Sequence, residues 1–264
     1  MIKNYFKTSI RNIKRNSTYS LLNISGMAIA MASTILILLW VQDEWSYDRH
    51  FKNANELFRV IENQNPSGGE ITPLGVAPGV LTSALKEEYP EIVRSTGFNS
   101  WPEALKKGDE VIDEILATVN KDFLEMFDIG FIRGDLKSSL NGPHDVVITE
   151  EMANKYFGSE DPLGKPLNAT GGSVFTVTGV VKSMPHNSLI KFDFLVSFDL
   201  LKEVGLKLND WSGFRCPVFI ELNKGSDSKL VGNKVRDIVQ RNLKGSNSEI
   251  FLQNIKKIHL YSSG

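Results

Sequence analysis

The chemically capable side chains of this sequence are four histidines, one cysteine and a few short glycine- or acid-bearing stretches. His50, His144, His186 and His259 lie far apart. None stands in a His-x-x-x-His pair or beside the paired carboxylates that would suggest a metal site. Each reads as a structural or surface residue. Cys216 is the single cysteine, so it closes no internal disulfide. Its neighbours Pro217, Val218 and Phe219 mark it as a small buried hydrophobe rather than a reactive thiol. Gly164, Lys165 and Pro166 contain the one Gly-Lys pair that resembles a phosphate loop. They lack the upstream glycine and the Ser/Thr that cradle a nucleotide and its magnesium, so a tight turn is expected there. Gly171, Gly172 and Ser173 are no nucleophile elbow, because no glycine follows two residues later. Asp43, Glu44 and Asp48 read as a polar stop after an apolar run, with Asp48 capping a local turn. Two glycosylation-type sequons, at 16–18 and 168–170, are too common a pattern to assign anything. No catalytic, cofactor-binding or metal-ligating residue is assigned, and an enzyme is not expected.

The elements that would position any site divide the chain unevenly. Residues 1–42 hold Lys3, Lys7, Arg11, Lys14 and Arg15 and no acid. The remainder holds 25 basic against 31 acidic side chains, a net charge of -6. Nucleic-acid binding is excluded as an expectation, because its recognition starts from a basic footprint.

Residues 21–41 read LLNISGMAIAMASTILILLWV, twenty-one residues without a charge. As a helix they span roughly 31 Å, about one hydrocarbon core. Ten are Leu, Ile or Val. At about -0.3 to -0.6 kcal/mol each, these favour insertion by roughly 3–6 kcal/mol. Trp40 and Trp45 sit where an interfacial aromatic belt would. The positive charges precede the segment and Asp43, Glu44 and Asp48 follow it. The positive-inside rule therefore places 1–20 in the cytoplasm and 42–264 outside. Cleavage as a signal peptide at Ala30, Met31 and Ala32 is disfavoured, since it would leave 35–41 as an apolar new terminus. Ile2, Phe6, Ile10 and Ile13 recur at helical spacing among the basic residues. That is the pattern of an amphipathic helix on anionic lipid, or of topology-setting charge alone. Gly26, Ala30 and Thr34 form a small-residue stripe on which another helix could pack.

Beyond the span, strands are expected at 56–62, 92–98, 110–119, 146–149, 173–181, 191–197, 214–222 and, as a last strand region, 250–259. Helices are expected at 80–89, 122–127, 150–157 with Thr149 as N-cap and Gly158 as stop, and 228–243. Residues 63–76 read as a polar loop and 185–187 as a turn. Strands and helices mix without regular βαβ alternation, which indicates an α+β domain.

Several stretches resemble the MacB/FtsX-like family of bacterial ABC transporter permeases. KNYFKTSIRNIKRNSTYSLLNISGMAIAMASTILILLWVQDEWSYDRHF resembles that family's first cytoplasmic helix, first span and exit motif, and NANELFRV the opening of its periplasmic core domain. VVITEEMANKYFGSEDPLGKPL, FTVTGVVKSMPHNSLIKFDFLVSF and KKIHLYS are similar to the family in the same order. The resemblance implies one transmembrane helix followed by a mixed α/β extracytoplasmic core of two lobes, porter-like and sabre-like, the inserted lobe covering about 145–210. It implies an inner-membrane protein with three kinds of partner besides the bilayer: a cytosolic ATPase subunit, a second permease copy or half, and a periplasmic adaptor. It implies mechanotransmission, in which ATP-driven movement of the spans is passed to the outside domain. It implies no cofactor. Full permeases carry three further spans after this point, so the chain, ending just past IHLYS, reads as a truncated permease. The alternative from another class is the sensor region of a membrane receptor or histidine kinase. One span and a coiled signalling module beyond Gly264 would mark it, where three spans would mark a permease.

Overall fold

The computed structural model describes residues 2–64 and 71–261. The expected loop at 63–76 therefore lies partly outside the described residues. Two compact units form, Met1–Ser46 and Tyr47–Gly264.

The first unit is helical. α1 (Ile2–Arg15) is followed, after Asn16 alone, by α2 (Ser17–Ser46). Backbone bonds bridge the break: the Asn16 N–H donates to Asn12 O at 3.1 Å and the Ser20 N–H to Asn16 O at 2.9 Å. At 30 residues α2 is about 45 Å long, more than one hydrocarbon core. Its apolar residues between Leu21 and Val41 are spread around every side of the helix. Two of its hydroxyls bond within the helix: Thr34 donates to Ala30 O at 2.8 Å and Ser25 to Leu22 O at 3.2 Å. Among the described residues it is the one helix long and apolar enough to cross a membrane.

The second unit is α+β. In chain order its elements are β1 (Leu57–Gln64), β2 (Thr72–Leu74), β3 (Ala77–Pro78), α3 (Leu81–Glu88), β4 (Ile92–Lys107), β5 (Glu110–Val119), α4 (Asp122–Met126), β6 (Phe131–Arg133) and β7 (Asp145–Thr149). There follow α5 (Glu150–Phe157), β8 (Pro166–Ala169), β9 (Val174–Val181), β10 (Phe194–Ser197), α6 (Asp199–Glu203), β11 (Arg215–Cys216) and β12 (Val218–Leu222). The last elements are α7 (Ser228–Val235), α8 (Ile238–Asn242), β13 (Glu249–Asn254), a 3-10 turn (Ile255–Lys257) and α9 (Ile258–Tyr261). Eleven strands make one mixed sheet in the order β13-β1-β12-β4-β5-β10-β7-β9-β6, with β2 on β1 and β8 between β4 and β9. Most neighbours are antiparallel; β10 on β5 and β7 on β9 are parallel. Residues 145–210 supply β7–β10, and β10 continues the same sheet through β5.

Local chemistry explains many elements. Thr149 takes an extended backbone and accepts a hydrogen bond from the Met152 N–H, so α5 starts there, and Gly158 at φ 61° stops it. Alternating apolar residues bury one face of β9.

Several elements differ from expectation; within the expected 63–76 loop β1 runs on to Gln64 and β2 (Thr72–Leu74) pairs with it. β4 runs on to Lys107 because β5 pairs with it along 98–107, despite Pro102 and several charges. The 228–243 helix is broken after Val235 because the Arg236 carbonyl accepts from the Ile250 N–H of β13 instead of continuing the helix. Phe214 lies outside the strands and Pro217 interrupts 214–222, so β11 pairs with β3 while β12 joins the large sheet. The last strand ends at Asn254, whose side chain accepts from the Lys256 N–H and turns the chain into a helix. The turn and α9 replace strand over 255–259.

β4 changes neighbours in mid-strand. Residues from Ile92 to Gly97 pair with β12 and those from Phe98 onward with β5. At that point Gly97 lies under the Phe198 ring and the Cys216 thiol. A Cβ on Gly97 would sit 2.5 Å from Phe198 Cζ and 2.8 Å from Cys216 Sγ. Both neighbours are buried. Gly97→Ala is expected to destabilise the unit by about 1–3 kcal/mol through overpacking, read as a lower urea midpoint. An unchanged midpoint would show that the ring can move aside.

Candidate functional site

The second unit begins at Tyr47. Within eight residues the chain is tied to four separate parts of that unit. The Tyr47 ring stacks on the His259 ring, with centroids 3.6 Å apart and planes within 3°. Asp48, fully buried, adopts a left-handed backbone at φ 54°, which aspartate tolerates better than most residues. Its N–H donates to Asn187 O at 3.0 Å. Its Oδ1 accepts from Ser188 Oγ at 3.2 Å and from the Leu189 N–H at 3.0 Å. The turn at 185–188 that presents these donors closes through the Ser188 N–H on Pro185 O.

Asp48 is therefore more than the polar stop and local cap expected of it. It docks the first residues of the unit onto a loop about 140 residues away in sequence. Burial pushes its carboxyl pKa upward, while the Leu189 N–H, the Ser188 hydroxyl and the nearby His259 pull it back.

Further along, Phe51 opens an aromatic ladder. Its ring lies 5.1 Å from Phe127, which meets Phe123 at 4.9 Å and Phe219 edge-on at 5.6 Å. Phe123 in turn stacks with Phe98, the residue at which β4 changes partners. Asn53 donates to Met126 O at 3.0 Å and to Glu221 Oε1 at 2.8 Å. Arg94 joins Glu221 and Glu125 in the same network. Asn254 donates back to the carbonyls of Ala54 and Leu57, tying the end of β13 to the start of β1. Aromatic pairs and hydrogen bonds to charged groups are among the stronger side-chain contacts, so the segment is held stiffly.

A cavity of about 450 Å³ adjoins this knot, with Asp48, Arg59, Asn99, Leu189 and His259 in its wall.

The other sequence-marked residues sit elsewhere. His50 tilts against Phe51, His144 contacts Glu203 at 3.0 Å, and His186 lies in the 185–188 turn. Among the described residues no group of three or more His, Cys, Asp or Glu side chains could hold a metal ion. Lys165 pairs with Glu160 and caps the Phe157 ring, and Gly164 at φ 75° makes the turn. Gly172 turns the β8–β9 hairpin. Cys216 is fully buried and its thiol is pushed up to about 12, so it stays protonated and unreactive. Sequence reasoning missed Asn53, Arg59 and the partners of Asp48. Asn53 falls within the NANELFRV stretch, the one signal that could have singled it out.

The profile of the MacB-like periplasmic core domain matches residues 20–238, most of the chain. The chain belongs to that family. Solved structures with the same fold include a domain of a protein described as a permease from Porphyromonas gingivalis. It is 21% identical, with a TM-score of 0.68, covering 78% of this chain and 92% of that one. The periplasmic region of MacB from Actinobacillus actinomycetemcomitans is 16% identical, with a TM-score of 0.54, covering 78% and 91%. The extracellular domain of the noncanonic ABC-type transporter YknZ from Gram-positive bacteria is 18% identical, with a TM-score of 0.55, covering 74% and 100%. No functionally curated protein matches the chain. The MacB-like domain here is thus the α+β outer part of an ABC-type permease, preceded by one apolar helix, and the family implies an ATPase partner.

Proposed function

We propose that this chain transmits mechanical displacement from a cytosolic ATPase, through α2, to the MacB-like domain outside the membrane, for export or extraction of a substrate. The N-terminal 1–20 lies in the cytoplasm, α2 crosses the inner membrane, and 42–264 works in the periplasm, beside a second permease copy or half and a periplasmic adaptor. The observation that carries this reading is continuity. α2 is unbroken through Ser46, and the next residue already belongs to the second unit, where Asp48 is buried and hydrogen-bonded. The sequence between Val41 and Glu56 contains no Gly- or Pro-rich flexible linker of the kind that would absorb movement. The basic charge before α2 and the acids after it support the orientation.

Two measurements test it. A cysteine at the exposed Lys224 should react with a membrane-impermeant maleimide in intact spheroplasts, and one at Ser17 only after lysis, with buried Cys216 silent in both. In the permease assembled with its ATPase, ATP should change the spacing of spin labels on the outer domain. Six Gly/Ser residues inserted between Ser46 and Tyr47 should abolish that change while ATP hydrolysis persists. An undiminished change with the insertion would rule out transmission through α2.

A further inference from the structure

Two short stretches of the second unit are basic in an otherwise acidic chain. Residues 49–55 read RHFKNAN and residues 250–261 read IFLQNIKKIHLY, bounded by Glu56 and Glu249. Together they hold Arg49, Lys52, Lys256 and Lys257 and no acid, although everything after residue 42 is net negative. The fold lays the two stretches side by side. The Tyr47 ring stacks on His259 at one end, and Lys256 Nζ donates to Asn55 Oδ1 at the other. Arg49, Lys52 and Lys257 are exposed. Lys52 pairs with Asp128, whereas Arg49 and Lys257 make no ion pair among the described residues. Beside them Leu260 is 40% and Tyr261 69% exposed. Cations interleaved with an exposed tyrosine and leucine suit a headgroup layer, which holds phosphates and accepts amphipathic rings.

The place of these residues in the chain points the same way. Beyond Val41, α2 continues for five residues, about 7.5 Å, which is roughly the depth of one headgroup layer. Arg49 follows the end of α2 by three residues and Lys52 by six. They therefore lie within about 11 and 22 Å of it however the chain turns. Asp43 and Glu44 precede the patch and oppose part of its charge, but its four basic side chains outnumber them.

We propose that this surface rests on the outer leaflet and binds anionic phospholipid headgroups, with Arg49 and Lys257 on the phosphates and Leu260 and Tyr261 at the interface. Arginine takes two phosphate oxygens at once, and lysine acts as a point charge. The inference rests on the reading that α2 crosses the membrane. It needs neither the ATPase nor transmission.

The full chain is placed in nanodiscs of phosphatidylcholine, alone or mixed with phosphatidylglycerol, each with a trace of spin-labelled headgroup. A fluorophore on Leu260→Cys reports contact with that quencher, while buried Cys216 stays unlabelled. Quenching should be at least about twofold stronger in the anionic discs, since each basic side chain near an anionic surface strengthens attachment severalfold. It should fall to the neutral level in ~1 M salt, where the Debye length is about 3 Å. Arg49→Gln combined with Lys257→Gln should remove most of the difference between discs, and Arg49→Lys, which keeps the charge, should preserve it. Glycerol 3-phosphate should leave the quenching unchanged, because a free headgroup lacks the summed charge of a surface. Melting curves confirm that each variant folds. Equal quenching in neutral and anionic discs overturns the proposal, as does an undiminished difference in the double glutamine variant. Displacement by glycerol 3-phosphate overturns it too, and would mark a small-anion site. Retention of the chain in the discs through gel filtration tests the span separately. A chain that inserts without charge-dependent quenching sinks this inference alone, whereas one that fails to insert sinks the spanning reading with it.

Discussion

Replacing Arg215 by methionine is expected to cost the Tyr47–Gly264 unit about 3–5 kcal/mol of stability. Glu62 lies in β1, flanked by Ile250 of β13 and Leu74 of β2, and its side chain is only 2% exposed. Arg215 on β11 reaches over and pairs with it, and also donates to Val76 O at 3.4 Å. Gln64 offers Glu62 one further donor at 3.3 Å. Removing the guanidinium leaves a desolvated carboxylate with that neutral donor, and uncompensated burial of charge is among the largest single-mutation penalties. The pair itself need not stabilise, because desolving two ions offsets much of their attraction. Glu62→Leu combined with Arg215→Met should therefore return to within about 1 kcal/mol of the parent chain. Urea unfolding followed through Trp101 and Trp211 fluorescence would measure all three variants. A loss under about 1 kcal/mol for the single change would mean that Glu62 is hydrated or neutral rather than held by Arg215.

Phe127→Ala is the second large effect, about 3–5 kcal/mol. The ring is 2% exposed and touches Phe51, Phe123 and Phe219, so truncation opens a cavity at the crossing of three aromatic contacts. Such pairs contribute about 0.5–1.5 kcal/mol each beyond buried area, which places the site toward the upper end of that range. Since Phe51 belongs to the turn that follows α2, Phe127→Ala should also loosen that turn. Amide exchange near Phe51 should rise more than exchange in α5, which lies in a separate apolar cluster. Val204→Ala, at an exposed side chain, serves as control and should stay within about 0.5 kcal/mol. Equal exchange in both regions would disconnect the aromatic ladder from the turn.

These sites differ in how far the sequence revealed them. The long apolar helix was readable because twenty-one uncharged residues carry their own physical argument. α5 was readable because Thr149 and Gly158 are chain neighbours of the helix they bound. β9 was readable from alternation alone. The second half of β4 was not. Pro102 and its charged neighbours carry no strand signal, and only pairing with β5 makes that stretch extended. The break at Arg236 was hidden for a similar reason, since the Ile250 N–H that captures its carbonyl comes from another element.

Asp48 marks the boundary most sharply. Its sequence context, acids after an apolar helix, supports a solvated polar stop, and Asp43 and Glu44 are the same residue types in the same setting. Burial and the donors from Ser188 and Leu189 separate Asp48 from them. By itself the sequence determined the long apolar helix, its charge asymmetry, the α+β class and the locally capped elements. Each of these follows from residues within a few turns of one another. The tertiary structure alone decided the mid-strand change of partners at Gly97, the aromatic ladder and the cavity with its acid and base. Those depend on contacts between residues from different elements, many of them far apart in sequence, and hydrophobic period and capping carry no information about which distant partner a side chain will meet.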